Sequence, residues 1–227
     1  MIEGALEELT GRIAERKAAL EARISNLTDR EVTVVAVTKG HPPEVALAAL
    51  RAGFVHLGEN YAQELAGKAR FVHESDPDAV PSWHFVGRLQ SNKVRLIAPY
   101  VTLWQTVDRS SLVGEIAKRS PGADVLVQVD LAGLTGRGGV QRGDLDALVS
   151  AAGSAGLRVQ GLMGVGVPDD LSATAEAFKW LESERARLGL EEVSMGMSGD
   201  LEAALAAGAT IVRIGTDLFG ERVRTPR

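Results

Sequence analysis

The chain contains no cysteine, which excludes disulfides and thiolate metal sites and permits a reducing compartment without requiring one. It also lacks a basic surplus: 25 Lys and Arg stand against 30 Asp and Glu, for a formal net charge of -5. Such a balance offers no general attraction to phosphate backbones or anionic membranes, so neither nucleic acid nor membrane is an expected partner. No apolar run approaches the length of a bilayer span. The start, Met1-Ile-Glu-Gly-Ala-Leu-Glu-Glu-Leu9, is acidic and amphipathic and lacks the basic stretch and apolar core of a secretory signal. A cytoplasmic protein is the expectation. His41, His56, His73 and His84 show no metal-ligand spacing, and without thiolates no metal site is expected. Aromatic residues are few, and Trp83, Trp104 and Trp180 are not interleaved with basic residues, so they read as packing rather than as a stacking platform.

What the chain does have is alternation. With 227 residues and 45% hydrophobic content, it is long enough to bury a full core in one large domain or two small ones. After a first helix over 2–26, β-rich apolar runs recur at 32–39, 54–58, 83–87, 103–108, 125–130, 159–164, 193–197 and 211–215. Stretches with helical spacing fall between them, at 43–52, 61–73, 90–97, 109–119, 144–155, 173–188 and 201–207. Gly53, Gly156, Gly189 and Gly208 sit where helices should stop, and Pro43 and Ser198 where helices should begin. Eight βα units predict an α/β fold, a single (β/α)8 TIM-type barrel with an extra N-terminal helix, occupying residues 1–227 as one domain. A doubly wound eight-stranded sheet is the structural alternative.

In a parallel barrel the chemistry gathers at the carboxyl ends of the strands, and the unusual residues of this chain fall there. Lys39 ends the run Val32-Thr-Val-Val-Ala-Val-Thr-Lys39, and Glu59 and Asn60 follow the second strand. His84 lies in the third, Asp108 and Asp130 end the fourth and fifth, Met163 lies near the end of the sixth, Ser198 follows the seventh and Arg213 interrupts the eighth. A lysine removed from water has its ammonium form disfavoured, and a neutral amine forms Schiff bases; the plainer reading leaves its head in solvent. A guanidinium in an apolar strand needs partners, so Arg213 is expected to point into the barrel, with a salt bridge to Asp108 or Asp130 as the purely structural explanation.

Barrels often bind phosphate with the loops after their last two strands. Ser194-Met-Gly-Met-Ser198-Gly199-Asp200 and Gly215-Thr216 both suit this, although N-capping by Ser198 would explain the first loop equally well. Gly136-Arg-Gly-Gly139 is not a P-loop and reads as a flexible loop with Arg137 near the mouth. An imine-forming amine, an arginine in the mouth and a paired phosphate cradle together suit pyridoxal 5′-phosphate (PLP). Its aldehyde would take Lys39, its phosphate Ser198, Gly199, Gly215 and Thr216, and its pyridine nitrogen would face Arg213. A permanently charged donor there keeps that nitrogen unprotonated and weakens the ring as an electron sink.

At these residues the chain resembles the pyridoxal phosphate homeostasis protein family, formerly described as proline synthetase co-transcribed proteins, whose barrel is similar to the amino-terminal domain of alanine racemase. The resemblance covers nearly the whole chain. It rests on Val35-Ala-Val-Thr-Lys39, Gly58-Glu-Asn-Tyr61, Trp83-His-Phe-Val-Gly87 with Leu89-Gln-Ser-Asn-Lys93, Gly161-Leu-Met163, Ser194-Met-Gly-Met-Ser198, and Arg213-Ile-Gly-Thr216 with Phe219-Gly220. It implies that Lys39 carries the cofactor as a Schiff base, that Arg213 faces the pyridine nitrogen, that Asn60 lies near the ring, and that Ser198, Gly215 and Thr216 hold the phosphate. Two departures stand out: many relatives carry a lysine in the loop where this chain has Arg137, and the tail 221–227 has no lysine.

The family implies a non-catalytic PLP binder that buffers or delivers the cofactor, with PLP-dependent apo-enzymes as acceptors. A self-contained barrel suggests a monomer. The alternative is a PLP-dependent racemase of low activity, which needs a second base opposite Lys39; Tyr61 is the tyrosine within sequence reach. A lysine-dependent aldolase would also join an amine to a phosphate site. In the plainest case Lys39 and Arg213 are structural.

Overall fold

Strand β1 (Thr33–Val37) is made almost wholly of β-branched residues, the composition of a strand covered on both faces. Its two neighbours decide the architecture. In this computed structural model, which describes residues 2–133 and 138–220, β1 pairs in parallel with β2 (His56–Glu59) on one side and with the last strand, β8 (Ile211–Ile214), on the other. The intervening strands, β3 (Ser82–Phe85), β4 (Val101–Val107), β5 (Asp124–Val129), β6 (Arg158–Gly164) and β7 (Glu192–Ser194), follow in sequence order around a closed barrel. Closure of β8 onto β1 gives the expected (β/α)8 barrel and excludes the open doubly wound sheet. Arg137 and the tail 221–227 lie outside the described residues.

Alternation along each strand sorts side chains into two layers. Val35, Val37, Leu126, Met163 and Ile211 fill the inside of the barrel. Ala36, Leu57, Phe85, Trp104, Leu162, Val212 and Ile214 face outward into the main core beneath the helices. Trp83 and Trp104 are buried there, and Trp180 is partly buried with the Arg142 guanidinium 4.3 Å above its ring, so all three tryptophans serve packing as expected.

The outer layer comprises α1 (Ile2–Leu27), α2 (Pro43–Arg51), α3 (Ala62–Ser75), α4 (Val94–Ile97), α5 (Ser110–Arg119), α6 (Leu145–Ser154), α7 (Leu171–Arg187), α8 (Leu201–Ala207) and a short α9 (Thr216–Phe219). Gly53, Gly156, Gly189 and Gly208 follow helices with φ of 85°, 81°, 65° and 105°, the left-handed conformation that glycine adopts without a Cβ penalty. Three local expectations are corrected. β1 stops at Val37, two residues before Lys39. α4 is a single turn entered through a 3-10 turn at Ser91–Lys93, not one helix over 90–97. Ser198 does not begin α8: Asp200 holds that position, its Oδ1 accepting from the Met197 N–H at 2.5 Å. The carboxylate thus bonds back to the preceding loop rather than capping the helix with its side chain, and backbone geometry sets the helix start two residues beyond the serine. The helix α9 was not expected, being too short to show periodicity. Among the described residues no helix is long and apolar enough to cross a membrane.

Candidate functional site

The seven residues expected to contact the cofactor, Lys39, Asn60, Ser198, Gly199, Arg213, Gly215 and Thr216, line one cavity of about 430 Å³ at the carboxyl ends of the strands. Val37, Val86, Val165 and Met197 complete its wall. The volume and the mixture of apolar wall with a few convergent polar groups are those of a small-molecule site.

Lys39 is half-buried in the turn after β1. That turn is held on several sides. Thr38 N–H continues the β1–β2 ladder by donating to Gly58 O at 3.0 Å, and Gly40 N–H donates to Glu64 Oε2 at 2.7 Å. Beneath it, Lys68 Nζ donates to Thr38 O at 2.7 Å and to Glu59 Oε1 at 2.6 Å, and the Thr38 hydroxyl donates to the same carboxylate oxygen at 2.5 Å. Burial pushes the Glu59 carboxyl above its usual range, with Lys68 acting in the opposite direction. Glu59 was expected at the mouth; it instead points outward from β2 to α3, and its place in the design is to support the lysine turn.

Asn60, the next residue, faces the cavity. Its Oδ1 is buried and meets no hydrogen-bond partner among the described residues, a polar atom left unpaired behind the cavity wall. Its position depends on Gly87, where an added Cβ would overlap the Asn60 backbone.

The two loops after β7 and β8 meet. Ser198 Oγ accepts from the Asp217 N–H at 3.4 Å, joining the segment that carries Ser198 and Gly199 to the start of α9 at Gly215 and Thr216. A Cβ at Gly199 would meet nothing within 4 Å, whereas at Gly215 it would come 3.1 Å from Val37 O. A side chain at 215 would therefore be tightly packed against β1, whereas one at 199 would not.

Arg213 does point into the barrel and is 5% exposed. The expected structural explanation, a salt bridge to Asp108 or Asp130, is not what holds it. NH1 donates to Ser194 Oγ at 2.7 Å and NH2 to Gly164 O at 2.8 Å. Asp108 instead pairs with Arg109 at 2.6 Å, and Asp130 accepts from the N–H groups of Ala132 and Gly133. Burial pulls the guanidinium down to about 10, with Asp200 opposing, so it remains charged at neutral pH. The hydrogen-bond partners named here are neutral, so Asp200 is the carboxylate that acts on this fixed cation beside the cavity.

Other residues lie elsewhere. His84 sits inside the barrel rather than at the mouth and is 3% exposed; Gln105, which it contacts, and Ser194 beyond it carry no stronger sequence signal than polar residues within two strands. Tyr61 is 53% exposed and lines a neighbouring cavity with Arg88, Lys93 and Arg109, not the one that holds Lys39. Among the described residues no cluster of metal-ligating side chains occurs.

The alanine racemase N-terminal domain family matches residues 16–223. The pyridoxal phosphate homeostasis protein of Vibrio cholerae is 38% identical over 203 residues, spanning 84% of this chain and 86% of that protein. That of Pseudomonas aeruginosa is also 38% identical, over 92% of this chain and 96% of its own. Among solved structures, PipY of Synechococcus elongatus with PLP bound superposes with a TM-score of 0.80 at 31% identity, covering 92% of this chain and 100% of PipY. The alanine racemase of Streptomyces coelicolor gives a TM-score of 0.71 at 25% identity, with 95% of this chain covering 58% of that longer one. The chain belongs to the pyridoxal phosphate homeostasis protein family, built on the barrel of the alanine racemase N-terminal domain.

Proposed function

We propose that this protein binds PLP in the Lys39 cavity, holds it as a Schiff base on Lys39, and serves intracellular PLP homeostasis by buffering or delivering the cofactor. When bound, PLP supplies an aldehyde that condenses with a primary amine, together with a phosphate and a pyridine ring. The observation that carries the reading is the convergence of Lys39, the Arg213 guanidinium and the joined Ser198–Gly199 and Gly215–Thr216 loops on one cavity. In this reading the loop backbone and the Ser198 and Thr216 hydroxyls take the phosphate, Asn60 stands near the ring, and Arg213 donates to the pyridine nitrogen. The kinship with proteins named for PLP homeostasis and with PLP-bound PipY supports it.

The racemase alternative needs two bases on opposite faces of the bound substrate. Lys39 supplies one, while Tyr61 lies on the wall of the neighbouring cavity, which favours a carrier without strong catalysis. A donor-only arginine at the ring nitrogen points the same way, since it does not supply the proton that would strengthen the ring as an electron sink. We place the whole chain, as one barrel domain and a monomer, in the cytoplasm, with PLP-dependent apo-enzymes as acceptors.

The test is transfer. Protein purified with PLP and dialysed is mixed with a PLP-requiring apo-enzyme, and recovery of that enzyme's activity is followed against the Lys39→Ala variant and against free PLP. The reading predicts retention and transfer that both depend on Lys39, and no more than trace racemisation of alanine. Equal retention by Lys39→Ala, or rapid racemisation by the native protein, overturns it.

A further inference from the structure

Five side chains from five strands are joined end to end across the inside of the barrel. Arg213 NH1 lies 2.7 Å from Ser194 Oγ, Ser194 Oγ 2.6 Å from Gln105 Oε1, Gln105 Nε2 2.7 Å from His84 Nδ1, and His84 Nε2 3.0 Å from His56 Nδ1. One end, Arg213, lines the Lys39 cavity. The other, His56, lines a separate cavity of about 440 Å³ at the opposite end of the barrel, beside Thr28, Arg30 and Phe54.

The chain has a direction that follows from its first member. A guanidinium only donates, so Ser194 Oγ accepts from Arg213 and its own proton goes to Gln105 Oε1. The amide nitrogen of Gln105 then faces His84 Nδ1, which accepts. The His84 proton therefore sits on Nε2 and is donated to His56 Nδ1; Ser82 Oγ lies further off, at 3.4 Å. Turning the Gln105 amide around would set its N–H groups against Ser194 and leave the buried serine proton with no acceptor in the chain. Burial holds His84 down at about 3, in agreement with a neutral ring.

We propose that Ser194 and Gln105 are positioning residues for Arg213, and that the chain they form sets the tautomers of His84 and His56 from across the barrel. Ser194 and the Gly164 carbonyl fix two corners of the guanidinium, leaving its remaining N–H groups for the cavity. Gln105 locks Ser194 in its accepting orientation, and His84 locks Gln105. Only the use of the fixed guanidinium rests on the PLP reading.

The first experiment is nitrogen NMR of the histidine rings in the full chain at neutral pH without added cofactor. The expected result is Nδ1 unprotonated and Nε2 protonated at both His84 and His56. Ser194→Ala cuts the chain beside Arg213 without altering charge, and Arg213→Met removes the charged donor. In each the Gln105 amide is freed to turn, and His84 is expected to populate both tautomers. If Arg213→Met does not fold, Ser194→Ala carries the test alone. A native His84 with its proton on Nδ1, or tautomers unchanged in the folded variants, overturns the proposal.

The second experiment is a PLP titration followed at the visible band. Loss of one hydrogen bond to a charged group predicts an affinity about tenfold lower in Ser194→Ala, with a shifted band and Lys39 still the attachment site. An unchanged affinity and band would deny the positioning role. A native protein with no band at all sinks the cofactor reading, while the ring nitrogens still decide the direction of the chain.

Discussion

Lys68 Nζ lies 2.6 Å from Glu59 Oε1 with the two side chains 3% and 0% exposed, and it simultaneously donates to the carbonyl of Thr38, the residue before Lys39. Removing one member of a buried pair strands the other, at a cost of about 3–5 kcal/mol. Lys68→Met is therefore expected to lose stability of that order in urea unfolding and to weaken PLP retention, because the turn carrying Lys39 loses its support. The double variant Lys68→Met with Glu59→Leu should recover much of the stability but not the retention. Equal recovery of both would mean that the pair does not position the turn.

The neutral His84 makes stability depend on acid. Burial, with His56 adding to it, keeps the folded value at about 3 against an ordinary value of 6.5. Below pH 6.5 the unfolded chain binds a proton that the folded one refuses, so stability is full above 6.5 and falls as pH drops toward 3. The slope from this residue approaches about 1.4 kcal/mol per pH unit, or about 2 kcal/mol between pH 6.5 and 5. Urea unfolding across that interval should show the decline, and His84→Gln should flatten it. An equal slope in the variant would assign the effect to other groups.

Gly87 determines where Asn60 stands. A methyl group there collides with backbone rather than with the end of a flexible side chain, and overpacking of this kind costs about 1–3 kcal/mol. Gly87→Ala should lower the unfolding midpoint and, by displacing Asn60, reduce PLP affinity. Asn60→Ala should reduce affinity with little loss of stability, because its amide oxygen meets no hydrogen-bond partner among the described residues. The two variants compared by calorimetry and PLP titration separate the effects.

Gly199 offers a cleaner separation. A Cβ added there meets nothing within 4 Å among the described residues, so Gly199→Ala should change stability by no more than about 0.5 kcal/mol. Weakened PLP binding in a fold-neutral variant would identify the segment beside Ser198 as part of the phosphate contact; unchanged affinity would remove it.

Much of this was legible in the chain. Parallel strands buried on both faces leave β-branched runs, and a lysine after one and an arginine within another stood out against them. The side on which a residue emerges at a strand end was not legible. Glu59 and Asn60 are adjacent and equally polar, yet one turns outward to Lys68 and the other toward the cavity. The start of α8 was misplaced because Ser198 and Asp200 are both good caps and only backbone geometry chooses between them. The polar chain behind Arg213 was invisible because its links join distant positions: Gln105 and Ser194 are 89 residues apart. Nothing in either local run announces the other.

The most direct measurement is borohydride reduction of the protein incubated with PLP, followed by mass mapping of its peptides. The account predicts a visible band before reduction and a stable adduct on Lys39 afterwards, absent from Lys39→Ala. A principal adduct on another lysine, or no adduct at saturating PLP, would contradict it.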